Sequence, residues 1–174
     1  MVRALLLSGL PGTGKTTIIR KAIAGAGKSV GGFYTGEMRA GGVRQGFRLT
    51  TIDGQRCILA HVDLAGPRRV GRYGVSSADL ERVGVTAIRQ AVHEKELVVI
   101  DEIGKMELFS SLFQEAVREA IDSDRRVLGT IMVKPHPFAD GIKAHPQARV
   151  LTVTRENPEA ILEEVLRWLE FDRS

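Results

Sequence analysis

Hydrophobic residues follow two patterns along this chain: short continuous runs, and longer stretches in which they recur every three or four residues. Continuous runs are typical of strands buried on both faces of a sheet, and the longer spacing is typical of helices that cover a sheet. Strands are predicted at residues 3–8, 97–100, 127–132 and 150–153. Helices are predicted after the first strand, after an N-cap at Ser76, from Leu108, and after an N-cap at Asn157.

A third pattern covers residues 30–62, where glycine-rich turns separate short β-like runs. Asp53 and Gly54 form a two-residue hairpin signal, because both central positions of that turn type need positive φ. The pattern predicts an antiparallel meander at about residues 30–62, attached to the edge of the sheet.

The alternation of apolar strands and amphipathic helices predicts an α/β fold with a mainly parallel sheet flanked by helices. The chain has 174 residues, 43% hydrophobic and 26% charged, as in an ordinary globular domain, so one domain over residues 1–174 is expected. The single cysteine excludes an internal disulfide and a cysteine-based zinc site. No apolar run approaches the roughly 20 residues that span a membrane, so we expect a cytoplasmic protein with no membrane partner.

The net charge of +4 is modest. It fits an anionic ligand such as a nucleotide, and it also fits weak contact with nucleic acid. Since no continuous basic run is present, nucleic acid is not expected as the primary partner.

Residues 9–16 match the phosphate-binding pattern G-x-x-x-x-G-K-[ST] in full, between a predicted strand and a predicted helix. Glycines allow the backbone to curl so that its N–H groups point at phosphate oxygens, and the helix N-terminus adds positive potential. Lys15 is expected to reach the β and γ oxygens and to act in catalysis, and Thr16 to ligate Mg²⁺. The residues predicted to bind nucleotide here are Gly9, Leu10, Pro11, Gly12, Thr13, Gly14, Lys15, Thr16 and Thr17.

An acidic pair, Asp101 and Glu102, follows the apolar strand at residues 97–100. The carboxyl edge of a parallel sheet is where ligands bind in α/β folds. Asp101 is therefore predicted to hold Mg²⁺ with Thr16, and Glu102 to polarise a water molecule toward the γ-phosphate. Such a glutamate favours hydrolysis over transfer to a second substrate.

Several segments resemble the small P-loop nucleoside-triphosphatases known as the thermophilic or cancer-related family. The segments that carry the resemblance are 32–39, 46–47, 69–75, 99–108 and 154–157. The resemblance implies a RecA-like core and Mg²⁺-dependent removal of the γ-phosphate from ATP, GTP and other nucleoside triphosphates.

Three arginines are candidates for stabilising the transition state: Arg39, Arg72 and Arg155. Arg72 is the first choice because it lies in a basic loop flanked by glycines, and Arg155 is predicted to stack on the base. For each arginine, a surface salt bridge is the alternative. Thr130 is a candidate γ-phosphate sensor or a buried hydroxyl, and Glu107 is second to Glu102 as activator of the water.

The leading hypothesis is Mg²⁺-dependent hydrolysis of ATP, GTP, CTP and UTP with loose base selection. No Asn-Lys-x-Asp tetrad is present to select guanine. One alternative is a P-loop kinase of a nucleotide or other small molecule, with residues 63–77 as its lid. Another is a nucleotide-switched module that binds RNA or protein. The sequence does not indicate an oligomeric state.

Overall fold

The computed structural model describes residues 1–171, and within them nine strands form one sheet. The strand order is β5-β6-β4-β3-β2-β7-β8-β1-β9. The strands are β1 (Ala4–Ser8), β2 (Val30–Ala40), β3 (Val43–Thr51), β4 (Arg56–His61), β5 (Arg69–Val70), β6 (Tyr73–Val75), β7 (Leu97–Ile103), β8 (Arg126–Ile131) and β9 (Ala148–Thr152). Strands β2, β7, β8, β1 and β9 are parallel, and β3, β4, β6 and β5 extend the sheet with antiparallel pairing.

Helices cover both faces of the parallel strands. They are α1 (Lys15–Gly25), α2 (Ser77–Asp79), α3 (Thr86–Glu94), α4 (Ser111–Asp122), α5 (Pro137–Lys143) and α6 (Pro158–Glu170). A π-helical segment, Leu80–Val85, joins α2 to α3. The alternation of side chains along β1 shows the layering: Leu5 and Leu7 pack with α1 and α6, whereas Leu6 packs with α3, α4 and α5. The predicted α/β fold and antiparallel meander are therefore confirmed.

The predicted loop at residues 63–77 contains a short hairpin, formed by β5 and β6. The segment is basic and rich in glycine, and its two strands are short and contain few apolar residues. The pattern of apolar residues therefore does not predict them. At the end of this segment Ser76 caps the following helix, as predicted, by accepting a hydrogen bond from the Asp79 N–H.

The helix predicted to begin near Leu108 begins at Ser111 instead. Leu108 and Phe109 lie in a separate 3-10 turn, and Ser110 caps α4 by accepting the Phe113 N–H. Leu112, expected on the buried stripe, is 40% exposed. The apolar residues of the turn and of the helix follow the same spacing of three or four residues. The sequence pattern therefore predicts one continuous helix where the structure has a turn and a helix.

Within residues 1–171, none of the helices is both long and apolar enough to cross a membrane. The cytoplasmic location and the single domain over residues 1–174 stay predictions.

Candidate active site

The loop between β1 and α1 has the backbone shape that phosphate binding needs. Gly12 and Gly14 adopt φ of 78° and 92°, values that residues with a side chain rarely adopt. A Cβ atom on Gly9 would collide with the Val153 carbonyl oxygen, so this glycine permits close contact with the segment after β9. Gly9 and Gly14 are the two glycines that the pattern requires, and Gly12 is a third at a position that the pattern leaves open.

The Lys15 side chain lies over this loop. Its ammonium group donates hydrogen bonds of 2.7 Å and 2.9 Å to the carbonyl oxygens of Gly9 and Leu10. Partial burial lowers the pKa of Lys15, while the nearby carboxylates of Glu102 and Asp101 act in the opposite direction. A phosphate group would bring further negative charge to the ammonium and so favour its charged form.

Asp101 is buried, with 3% of its surface exposed, and both carboxylate oxygens are hydrogen-bonded. The Thr16 hydroxyl donates to Oδ2 at 2.8 Å, and the Thr130 hydroxyl donates to Oδ1 at 2.7 Å. The Thr35 backbone N–H donates to the same carboxylate. Burial raises the pKa of Asp101, and these three donors and Lys15 oppose that increase by stabilising the charged form.

Glu102 follows on the same strand, and the peptide bond between it and Asp101 is cis. Burial and the charge of Asp101 raise the pKa of Glu102, and Lys15 opposes the increase. The Glu102 side chain lies over Gly104, where a Cβ atom would come within 2.9 Å of its Cγ and closer still to Oε1. The absence of a side chain at Gly104 thus makes room for the Glu102 carboxylate.

Glu107 is a second carboxylate beside Glu102, and only 4% of its surface is exposed. Burial and the charge of Glu102 raise the pKa of Glu107 well above its ordinary value. The N–H groups of Gly104 and of Glu107 itself donate to this carboxylate. The site therefore contains three carboxyl groups, and Glu102 is the most exposed of them.

The side chains present fit a Mg²⁺ ion that is held partly by its substrate. Within residues 1–171, no cluster of three or more His, Cys, Asp or Glu residues has a metal-binding arrangement. Thr16 and Asp101 supply one hydroxyl and one carboxylate side by side. Mg²⁺ commonly takes one or two protein ligands and completes its octahedron with water and phosphate oxygens. The Thr16 hydroxyl and the Asp101 carboxylate match this kind of coordination.

A cavity of about 360 Å³ lies beside the phosphate loop, between α1 and the start of α6. Arg155 lines this cavity, and its contact with the base stays a prediction. The other lining residues are Gly12, Thr13, Gly14, Thr17, Ile18, Lys21, Pro158, Glu159 and Leu162. Ile18 and Leu162 contribute apolar side chains to its lining, and Lys21 and Glu159 contribute charged ones.

Arg72 lies in the turn between β5 and β6, at the opposite edge of the sheet from β9. Its guanidinium donates to the Arg44 carbonyl oxygen and lies over the Tyr73 ring. Arg39, the other candidate in this part of the sheet, pairs with Glu37 at 2.8 Å. The structure brings neither arginine to the phosphate loop, and the catalytic role of Arg72 stays a prediction.

Three residues of this site were not identified as such from the sequence. The sequence indicates a phosphate sensor or a buried hydroxyl at Thr130 but not its partner, which is the Asp101 carboxylate. Thr35 acts through its backbone, which carries no sequence signal. The signal for Gly104 was its place two residues after Glu102, where a glutamate side chain can fold back over it.

Comparison with known proteins finds relatives along nearly the whole chain. The sequence model of a family described as NTPase matches residues 4–166. The nucleoside-triphosphatase THEP1 of Thermotoga petrophila is 44% identical over 169 residues, which covers 97% of this chain and 94% of that protein. The human cancer-related nucleoside-triphosphatase is 39% identical over 189 residues, covering 99% of this chain and all of the human protein (100%).

Two solved structures are similar in fold. The crystal structure of THEP1 from the hyperthermophile Aquifex aeolicus matches with a TM-score of 0.88 and 36% identity, over 96% of this chain and 99% of that one. The solution structure of a human cancer-related nucleoside triphosphatase matches with a TM-score of 0.84 and 39% identity, over 99% and 100% of the two chains. The similarity therefore includes the antiparallel strands as well as the phosphate loop.

Proposed function

The chain belongs to the family of nucleoside-triphosphatases that includes THEP1 and the human cancer-related enzyme, and we propose that it hydrolyses ATP, GTP, CTP and UTP to the diphosphate and phosphate, with Mg²⁺ and loose base selection. One observation carries this proposal. The buried Asp101 carboxylate is hydrogen-bonded to Thr16 of the phosphate loop, and a second, more exposed carboxylate follows it directly.

The phosphate loop binds and orients the triphosphate. Its backbone N–H groups and the N-terminus of α1 bind phosphate oxygens, and the glycine conformations at Gly12 and Gly14 support the required curvature. The Lys15 ammonium donates hydrogen bonds to two carbonyl oxygens of the loop. When the triphosphate binds, the ammonium donates to the β and γ phosphate oxygens instead. This interaction strengthens as negative charge develops on the departing diphosphate, so it lowers the barrier as well as binding the substrate.

Thr16 and Asp101 would hold the metal, and Thr130 and the Thr35 backbone keep the carboxylate of Asp101 in place. When bound, Mg²⁺ would neutralise part of the negative charge of the triphosphate. Because Asp101 is buried and hydrogen-bonded at both oxygens, we expect its position to change little during the reaction.

Glu102 orients the attacking water and accepts its proton. A base works best when its pKa lies near the working pH, and burial beside Asp101 raises the pKa of Glu102 in that direction. The position of Glu102 directly after the metal-binding Asp101 supports attack of water on the γ-phosphate. This arrangement favours hydrolysis over transfer to a second substrate.

Loose base selection follows from the cavity that receives the base. Its charged side chains, Lys21, Glu159 and Arg155, lie on exposed positions of helix and loop. A site selects one base when the wrong base leaves buried polar groups without hydrogen-bond partners. Exposed groups do not select in this way, because they form hydrogen bonds with water when the base does not match. Arg155 can stack on any of the four rings.

The experiment that tests the function measures phosphate released from each of the four triphosphates, with Mg²⁺ and no acceptor molecule. We expect release from all four, with kcat/KM values within about a hundredfold of one another, and none in the presence of a chelator. Phosphate release that requires an added small-molecule acceptor would instead establish the kinase alternative. A thousandfold preference for one triphosphate would overturn the loose selection alone.

A further inference from the structure

The excess positive charge of this protein is concentrated in the antiparallel part of the sheet. Residues 30–75 contain seven arginines, no lysine and three acidic residues, a net charge of +4. The whole chain also has a net charge of +4, so the rest of it is balanced. All seven basic residues are arginines rather than lysines, and this choice indicates planar or phosphate-bearing ligands. The guanidinium group binds phosphate through two hydrogen bonds and stacks on flat rings.

One face of β2, β3 and β4 carries part of this charge, and α1 reaches this face at Tyr34 of β2 but leaves Arg48, Thr50 and Arg56 exposed or half-buried. The other face is covered, because Phe33, Leu49 and Leu59 pack in the same core cluster as α3 and α4. On the first face Arg48 and Arg56 are exposed. Within residues 1–171, neither of these two guanidinium groups has a hydrogen bond or an ion pair.

The strand register places these side chains in a row across the sheet. Thr50 of β3 lies between Tyr34 of β2 and Arg56 of β4. The row continues onto α1, since the Arg20 guanidinium lies 4.9 Å from the centre of the Tyr34 ring. Arg48 lies beside the row, two residues from Thr50 on the same strand. Two strand spacings of about 4.8 Å and the 4.9 Å from the Tyr34 ring to Arg20 give the row a span of roughly 15 Å, the length of a few nucleotides.

The three strands contribute no acidic side chain to this surface. Glu37, their single acidic residue, pairs with Phe47 in the register, and Phe47 packs against the helix-covered core. Glu37 is also bound to Arg39 and Arg44. We define the arginine face as Arg20, Tyr34, Arg48, Thr50 and Arg56. It is a positive surface of three strands and the edge of α1, with one aromatic ring and no acidic side chain from the strands.

We propose that the arginine face binds a single strand of RNA. Open sheets that combine arginine with aromatic rings bind single strands through phosphate contacts and base stacking. The hydroxyl of Thr50 has no hydrogen-bond partner within residues 1–171 and lies at the centre of the row. A ribose 2′-hydroxyl can pair with it, and this group distinguishes RNA from DNA. The proposal is independent of nucleotide hydrolysis.

The test is fluorescence anisotropy of a labelled oligouridylate of about 10 nucleotides, titrated with the protein without nucleotide. Three phosphate contacts predict that a change from 50 to 200 mM salt weakens binding by about 20-fold. The double variant Arg48→Gln/Arg56→Gln should weaken binding by about tenfold at low salt and reduce the salt dependence by about two-thirds. Its hydrolysis of ATP without RNA should equal that of the parent.

The matched control removes two arginines from other surfaces, Arg82→Gln/Arg167→Gln, and should leave RNA binding within about twofold of the parent. Equal losses in both double variants would overturn the proposal, because binding would then reflect net charge alone. Absence of RNA binding at low salt would overturn it as well. So would displacement of the RNA by polyglutamate at equal charge concentration, which would indicate an acidic protein partner.

A second comparison tests the assignment to RNA. The parent should bind the oligouridylate more tightly than an oligodeoxyuridylate of the same length, and Thr50→Val should remove this difference without weakening the binding of DNA. Equal binding of the two strands by the parent would overturn the choice of RNA. Thermal unfolding of each variant confirms that the substitution leaves the fold intact.

Discussion

The Thr16 hydroxyl donates a 2.8 Å hydrogen bond to the Asp101 carboxylate, although 85 residues separate the two in sequence. This bond joins the phosphate loop to the end of β7. It sets the two expected metal ligands side by side. It also places Glu102, the next residue on the strand, at the same edge of the sheet.

Asp101→Asn should increase the Mg²⁺ concentration needed for half-maximal hydrolysis by about tenfold or more, because an amide is a weaker ligand for a hard cation than a carboxylate. Activity at saturating Mg²⁺ should recover in part. The measurement is a Mg²⁺ titration of the hydrolysis rate. Thr130→Val, which removes a partner of Asp101 and leaves the carboxylate itself, should move the midpoint by a smaller factor. An unchanged midpoint in Asp101→Asn would exclude this aspartate from the metal site.

Lys15→Ala should lower kcat by about a hundredfold or more with the fold intact, because the lost ammonium stabilises charge that develops in the transition state. Single-turnover hydrolysis with saturating ATP measures this loss. Lys28→Ala, which changes a lysine beyond the other end of α1, is the control and should retain the parent rate. A Lys15→Ala variant within a few-fold of the parent would show that the lysine has no such role.

Gly104→Ala should lower kcat by about tenfold to a hundredfold and leave nucleotide affinity unchanged, because the added Cβ displaces the Glu102 carboxylate. If Gly104 acts only by positioning Glu102, then Gly104→Ala should have no further effect in a Glu102→Gln background. Gly141→Ala in α5, where an added Cβ meets nothing within 4 Å, is the control for loss of a glycine. An additive loss in the double variant would mean that Gly104 acts in another way.

Glu107 makes stability depend on pH, because burial raises its pKa well above the ordinary value. Between the ordinary and the raised pKa, the folded chain binds a proton that the unfolded chain releases, so this group makes the free energy of unfolding fall as pH rises. Glu107→Gln should flatten that decline and stabilise the chain on the alkaline side. Urea unfolding at several pH values measures the slope, with the exposed Glu94→Gln as control. A slope unchanged by Glu107→Gln would contradict the assignment.

The sequence was most informative where one residue type is chemically required. The structure places the glycine-rich loop between β1 and α1 and the acidic pair at the carboxyl end of β7, as the sequence predicts, and the positive φ of Gly14 is a reason for glycine there. The roles of these residues in binding phosphate and metal stay predictions. The start of α4 was wrong because Leu108 and Phe109 continue the helical spacing through a turn. The contact of Thr130 with Asp101 could not be predicted, because a threonine at a strand end does not reveal its partner. The position of Arg72 could not be predicted for a similar reason, because the hairpin that holds it contains few apolar residues.

The most direct test of the proposed hydrolysis is a comparison of nucleotide binding and single-turnover hydrolysis in Glu102→Gln. The amide keeps the size of the side chain but cannot accept the proton of the attacking water, so we expect the rate to fall by about 10² to 10⁴. Nucleotide affinity should stay the same or increase slightly, since Lys15, the loop and Asp101 are retained. The parent rate should fall as the pH drops through the raised pKa of Glu102, and the variant should lack that dependence. A Glu102→Gln variant that hydrolyses ATP at the parent rate would contradict the account.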